Sequence, residues 1–127
     1  MRDLYSNIAA LPALAPAVQS AAAQGVAVDT LGAGRLAFVV TTGAVAGDGD
    51  FGVKLQESDT GTSGWTDVVA EQVDTTAPAT LAADSAYRLG YRGWKRYVRL
   101  ALTRAGGTSI AAGAVAVIVP LTRPEAP

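Results

Sequence analysis

The chain has 127 residues with no His and no Cys, 17% charged residues and a formal net charge of -1. That composition removes the Ser-His-Asp and Cys-His nucleophile pairs, imidazole and thiolate metal sites, and any disulfide framework. A near-neutral balance also argues against a general nucleic-acid binder, whose domain is normally basic overall.

Half of the residues are apolar but only 6% are aromatic, so Val, Leu and Ile must fill one core of modal domain size. Met1-Arg2-Asp3-Leu4-Tyr5 lacks the basic and apolar regions of a signal peptide. The longest apolar run, Ile110 to Leu121, falls short of the ~18–20 residues that span a bilayer. A soluble, non-exported chain without a membrane partner is expected.

Residues 1–34 read as an N-terminal arm with the first strand region. Leu4, Ile8, Leu11 and Leu14 recur at helical spacing, yet Pro12 and Pro16 deny them a long helix. An extended arm with one short helical turn is expected, and Val26 and Val28 sit where a first short strand fits. An apolar arm without a regular element of its own would pack on a neighbouring subunit or on a larger assembly.

From Arg35 the period changes to two, and residues 35–120 read as a β-sandwich body. Leu36, Phe38, Val40 and Thr42 share one face of a strand. Ala46-Gly47-Asp48-Gly49-Asp50 ends it, and Phe51, Val53 and Leu55 alternate with polar or small residues in the next. Ser58 to Gly64 is a polar turn cluster before a returning strand at Trp65 to Val69. Residues 70–86 read as loop, with Pro78 against a strand. Tyr87, Leu89 and Tyr91 form one alternating face, and Val98, Leu100 and Leu102 another. Gly106-Gly107 turns the chain into a last strand from about Ile110 to Val119, and residues 121–127 form a short tail. Phe38, Val53, Leu55, Leu89, Val98 and Leu100 are the expected core. Short strands with frequent turn signals and no long helix predict an all-β fold, an antiparallel sandwich or jelly-roll-like single domain.

The last strand carries Val115, Val117 and Val119 on one face and Ala114, Ala116 and Ile118 on the other. A small antiparallel sheet usually shows one face to water. This strand therefore lies centrally in its sheet, or its second face meets another chain.

Chemistry-bearing patterns are few. Asp48, Asp50, Glu57 and Asp59 offer carboxylates for a hard cation, but the spacing of a calcium loop is missing, and Asp and Gly belong in turns for backbone reasons. Glu57 with Asp59, or Asp67 with Glu71, read as solvated loop charges before an acid/base pair. Trp65, Tyr87, Tyr91, Trp94 and Tyr97 could stack a sugar or a base, but Tyr87 and Tyr91 share a face with Leu89, as core residues do. Trp94 sits in a turn and is an interface candidate. Arg88, Arg92, Lys95, Arg96, Arg99 and Arg104 place six of ten basic residues within seventeen positions, while residues 48–84 carry eight acids against Lys54. A solvated face or complementary contact with another protein both explain this better than nucleic acid does. No catalytic, metal or cofactor site emerges.

Three stretches carry a resemblance: Met1-Arg2-Asp3-Leu4-Tyr5-Ser6-Asn7-Ile8; Phe51 to Asp59 leading into Gly64-Trp65-Thr66-Asp67-Val68; and Tyr87 to Arg99, through Gly90-Tyr91-Arg92-Gly93-Trp94-Lys95-Arg96. Together they resemble small virion proteins of tailed phages and prophages, encoded near the major capsid protein. The resemblance implies a capsid decoration (cement) protein on the virion surface, made in the host cytoplasm. It also implies a homo-oligomer, commonly a trimer, with the major capsid protein as partner and no cofactor. The alternative is a carbohydrate-binding module using Trp65 or Trp94, or a tail or neck component. Expected interface residues are Leu4, Tyr5, Ile8 and Leu11 of the arm, Trp94, Arg96 and Arg99 of the basic run, and Val117 and Ile118 of the last strand.

Overall fold

Alternation in the segment after Gly32 drives Leu36, Phe38 and Val40 into the interior, where all three are buried, and Thr42 with them. The same pattern repeats along the chain in this computed structural model, which describes residues 3–120. Among the described residues the strands are β1 (Ala9–Gln19), β2 (Ala23–Gln24), β3 (Val28–Asp29), β4 (Ala33–Ala46), β5 (Asp50–Ser58), β6 (Thr66–Asp67), β7 (Val73–Thr75), β8 (Ala86–Tyr91), β9 (Tyr97–Gly106) and β10 (Ser109–Pro120). Single 3-10 turns occupy Tyr5–Asn7 and Ala70–Gln72.

These strands form two antiparallel sheets. The first has the order β1-β10-β4-β8-β7, and the second the order β2-β9-β5-β6 with β3 also on β9. The fold is an all-β sandwich. Phe38, Val40 and Leu89 of the first sheet meet Phe51, Leu55, Val98, Leu100 and Leu102 of the second, all of them buried. Each such aliphatic or aromatic side chain stabilises the fold by about 1.5–3 kcal/mol through loss of water contact. Of the expected core, Val53 is the exception. It faces inward beside Leu102 but is only partly covered.

The expectation of an arm without a regular element is corrected for residues 9–19. They form β1, an edge strand paired with β10 from Ala9↔Ile118 to Gln19↔Ile110, and Ala13 and Leu14 lie in the core. Two irregularities, between Pro12 and Leu14 and between Leu14 and Ala17, fit the prolines into the ladder. An edge position tolerates Pro because one side of the strand has no ladder partner to lose. The helical turn expected near the start is present at Tyr5–Asn7. Residues 70–86 are likewise not all loop: Val73–Thr75 pairs with β8 and closes the far edge of the first sheet. The tail at 121–127 lies outside the described residues.

The doubly apolar last strand is central, between β1 and β4. Ile110, Ala112, Ala114, Ala116 and Ile118 are buried on its inner side, and Val115 is 44% exposed on its outer side.

Candidate functional site

The outer faces of the two sheets differ in how far their polar groups are satisfied. On the second sheet, alternation turns Lys54 and Gln56 of β5 and Arg99 of β9 outward, and the pairing sets Gln56 between Arg99 and Asp67. Lys54 Nζ and Gln56 Nε2 both donate to the Asp67 carboxylate at 3.1 Å, and Arg99 Nε donates to Gln56 Oε1 at 2.9 Å. The Arg99 guanidinium stacks on Trp65, 4.2 Å from the ring centre. The hydrogen bonds from Gln56 and then Lys54 hold the Asp67 carboxyl below its ordinary range.

Much of the basic run is likewise held within the chain. Arg96 grips Asp29 with both arms, Nε to Oδ1 at 3.0 Å and Nη2 to Oδ2 at 2.9 Å. With the Leu31 amide, that fork lowers the pKa of Asp29. Lys95 Nζ reaches Asp59 at 3.0 Å and lies 4.5 Å from the centre of the Trp94 ring. Arg92 Nε pairs with Asp74 at 2.9 Å. The acidic and basic halves of the sequence are thus partly complementary inside one molecule.

The loop between β8 and β9 is braced from below. Tyr91 Oη donates to Glu57 Oε1 at 2.7 Å and accepts the Lys95 amide at 3.0 Å. Burial, and then the hydrogen bond to Glu57, push the Tyr91 hydroxyl up to about 12. Above this brace Trp94 is 76% exposed. It borders a cleft of about 230 Å³ whose walls include Thr30, Arg35 and Tyr91.

The outer face of the first sheet is of another kind. The register aligns Pro12, Val115, Val39 and Arg88 in one row across the strands, and Ala10, Val117, Ala37, Gly90 and Asp74 in the next. Val119 and Arg35 pair beyond them. Most of this face is aliphatic or small, with guanidinium groups along one side.

The expected interface residues divide accordingly. Leu4, Tyr5, Leu11 and Trp94 are exposed, Ile8 is half-buried, and Val117 lies half-buried on the aliphatic face. Ile118 is corrected: its side chain points into the core at 8% exposure and is not at a surface. Arg96 and Arg99 are occupied by Asp29 and by Gln56 with Trp65, so neither is the free cation its sequence suggested. The four acids Asp48, Asp50, Glu57 and Asp59 do not converge. Asp50 accepts from Thr80, Glu57 from Tyr91 and Asp59 from Lys95, and Asp48 sits in a turn at φ 54. Among the described residues no three His, Cys, Asp or Glu side chains group as metal ligands, and no helix is long and apolar enough to cross a membrane. Arg35 escaped notice as a site residue. Its outward position opposite buried Leu36 was readable from alternation, but its neighbours Val119 and Trp94 are brought to it by the fold.

No family model and no curated protein matches the chain. One solved structure with a similar course is the N-terminal CBM22-1 and GH10 modules of Clostridium thermocellum endo-1,4-β-D-xylanase 10B, complexed with xylohexaose. The TM-score is 0.48 at 10% identity, over 97% of this chain and 28% of that one. The chain thus spans less than a third of that structure's length.

Proposed function

We propose that this chain is a structural virion protein, a capsid decoration protein that attaches to a phage head at contacts between capsomers. The observation that carries the reading is the contrast between its two outer faces. The second sheet satisfies its own polar groups, whereas the first presents Ala10, Pro12, Ala37, Val39, Val115 and Val117, exposed or half-buried, with no further layer over them among the described residues. Aliphatic surface of this kind is stabilised by burial against another protein, at about 25 cal/mol per Å². The resemblance of three sequence stretches to small phage virion proteins supplies the particle. On this reading the partner is the major capsid protein, and the chain acts as a homo-oligomer, a trimer by the resemblance. It is made in the host cytoplasm and resides on the capsid surface. It binds without catalysing, and needs no cofactor.

The test is co-sedimentation of the purified protein with heads from particles deleted for this gene. Saturable binding is expected, and Val117→Asp should abolish it while the circular dichroism spectrum stays that of the parent. Heads that fail to retain the parent protein at any concentration would reject the reading. A second reading, a carbohydrate-binding module, is favoured by the exposed Trp94 ring beside its cleft. Retention on a glycan array, lost in Trp94→Ala, would support it.

A further inference from the structure

Lys54, Arg92, Lys95 and Arg96 each hold a carboxylate of the same chain. Arg35 and Arg88 are different. Among the described residues neither guanidinium has a hydrogen-bond or ion-pair partner, and both stand on the outer face of the first sheet. Arg88 lines a hollow of about 300 Å³ with Ala37, Asp74 and Gly90, and Arg35 lines the cleft beside Trp94. Arg35 is four residues before Val39 in β4, and Arg88 pairs with Val39 from the next strand. At ~3.3 Å per residue and ~4.8 Å between strands, the two backbones are roughly 14 Å apart. Exposed Trp and Arg beside aliphatic surface form the composition of protein-interface hot spots.

We propose that this face docks an acidic polypeptide segment of a partner protein. Two carboxylates of that segment bind the forks of Arg35 and Arg88, and its apolar side chains cover Val39, Val115 and Val117. In an extended segment residues i and i+4 share a face about 13 Å apart, so acids at that spacing fit both anchors. The inference rests on the reading of the chain as an assembly protein and specifies the chemistry of its partner.

Charge decides among occupants. Two-fold pairing of this face with its copy brings no free carboxylate from its paired rows: among the described residues the acid that the register places there, Asp74, is held by Arg92. Anionic membranes favour dense clusters of four or more Lys or Arg, whereas this face carries two unpaired Arg set apart by Val and Ala. Nucleic-acid surfaces combine such charges with aromatic stacking platforms, and the rows between the anchors hold no aromatic residue. A bidentate Arg-carboxylate pair fits the observed groups with the least else required.

The test uses the whole chain with Trp65→Phe, so that Trp94 is the sole indole reporter. Its fluorescence is titrated at low salt with poly-L-glutamate, with polygalacturonate, and with vesicles of one-third phosphatidylserine in phosphatidylcholine. Polyglutamate should produce a saturable change that near-molar salt reverses. Arg35→Gln and Arg88→Gln should each weaken it about tenfold, the loss of one charge-assisted pair. Arg104→Gln, at the opposite end of the sandwich beside Gly107, should leave it unchanged. A stronger response to polygalacturonate or to vesicles would overturn the proposal, as would indifference to both Arg substitutions. Heads that bind the Arg35→Gln, Arg88→Gln double variant as well as the parent would also overturn it, with decoration intact. Polyglutamate binding without head binding would reject decoration and leave the acidic-segment chemistry standing.

Discussion

Gly25 lies against the backbone of Ala13, and that approach closes one side of the sandwich. The Gly25 amide donates to the Leu100 carbonyl of β9, and the next amide, of Val26, donates to the Ala13 carbonyl of β1, each at 2.7 Å. Two residues therefore stitch the second sheet to the first. A Cβ on Gly25 would stand 2.8 Å from the Leu100 oxygen and closer still to that of Ala13. Both obstacles are backbone and cannot swing aside. Gly25→Ala should lower stability by about 2 kcal/mol or more, seen as a fall in the urea midpoint. An unchanged midpoint would show that the seam is loose.

Deletion of residues 2–16 tests the correction to the arm. It removes most of β1, including buried Ala13 and Leu14, and bares the β10 ladder. The shortened chain should lose its cooperative thermal transition and bind a hydrophobic dye. A deletion variant that melts like the parent would return these residues to the role of a detachable arm.

The strands of the body were legible because Leu36, Phe38 and Val40, or Val98, Leu100 and Leu102, alternate cleanly with outward residues, and sheet burial reads that alternation directly. β1 was obscured by its own composition. Two prolines and a helical spacing of Leu argue against a strand locally, and an edge position beside β10 overrides them. β7 was hidden because three residues carry too little pattern to register. The candidate face was half-visible: the unusual valines of β10 pointed to it, but not the alignment of Val39, Ala37 and Arg35 beside them. Pairing partners of Lys95 and Arg96 lie more than thirty residues away, so which charges stay free could not be read from their order in the chain.

Leu100 is fully buried between the sheets, and Leu100→Ala should cost about 2–5 kcal/mol from lost transfer energy and the cavity left behind. Val53, on the same side but partly solvated, should lose less than about 1.5 kcal/mol on change to Ala. Paired denaturant melts measure both. Equal losses would mean that the sheets pack over Val53 as tightly as over Leu100.

The fork of Arg96 on Asp29 gives a pH-dependent element near the cleft. Because the Asp29 pKa is lowered in the folded chain, its contribution is present above the unfolded carboxyl value and is lost as pH falls through the folded one. Stability should therefore decline below about pH 4 more steeply in the parent than in Asp29→Asn. Both partners are exposed, so the difference is small and shrinks with salt. Identical acid limbs at low salt would show that the pair forms no lasting contact.

Tyr91 sets the opposite, alkaline limb. Its phenol is raised from 10.0 to about 12 by burial and by the neighbouring Glu57 carboxylate. Between those values the folded chain keeps a proton that the unfolded chain has released. The contribution is thus complete below pH 10 and is lost as pH rises through about 12. Ultraviolet titration should show a late phenolate-forming step near pH 12, and Tyr91→Phe should delete it. The same substitution leaves Glu57 Oε1 and the Lys95 amide without their shared hydroxyl, so the loop carrying Trp94 should loosen. Amide exchange at residues 93–96 should quicken in Tyr91→Phe while exchange in β9 and β10 stays slow. Unchanged exchange in that loop would mean that Trp94 is positioned by the Lys95–Asp59 pair above the phenol instead of by the brace beneath it.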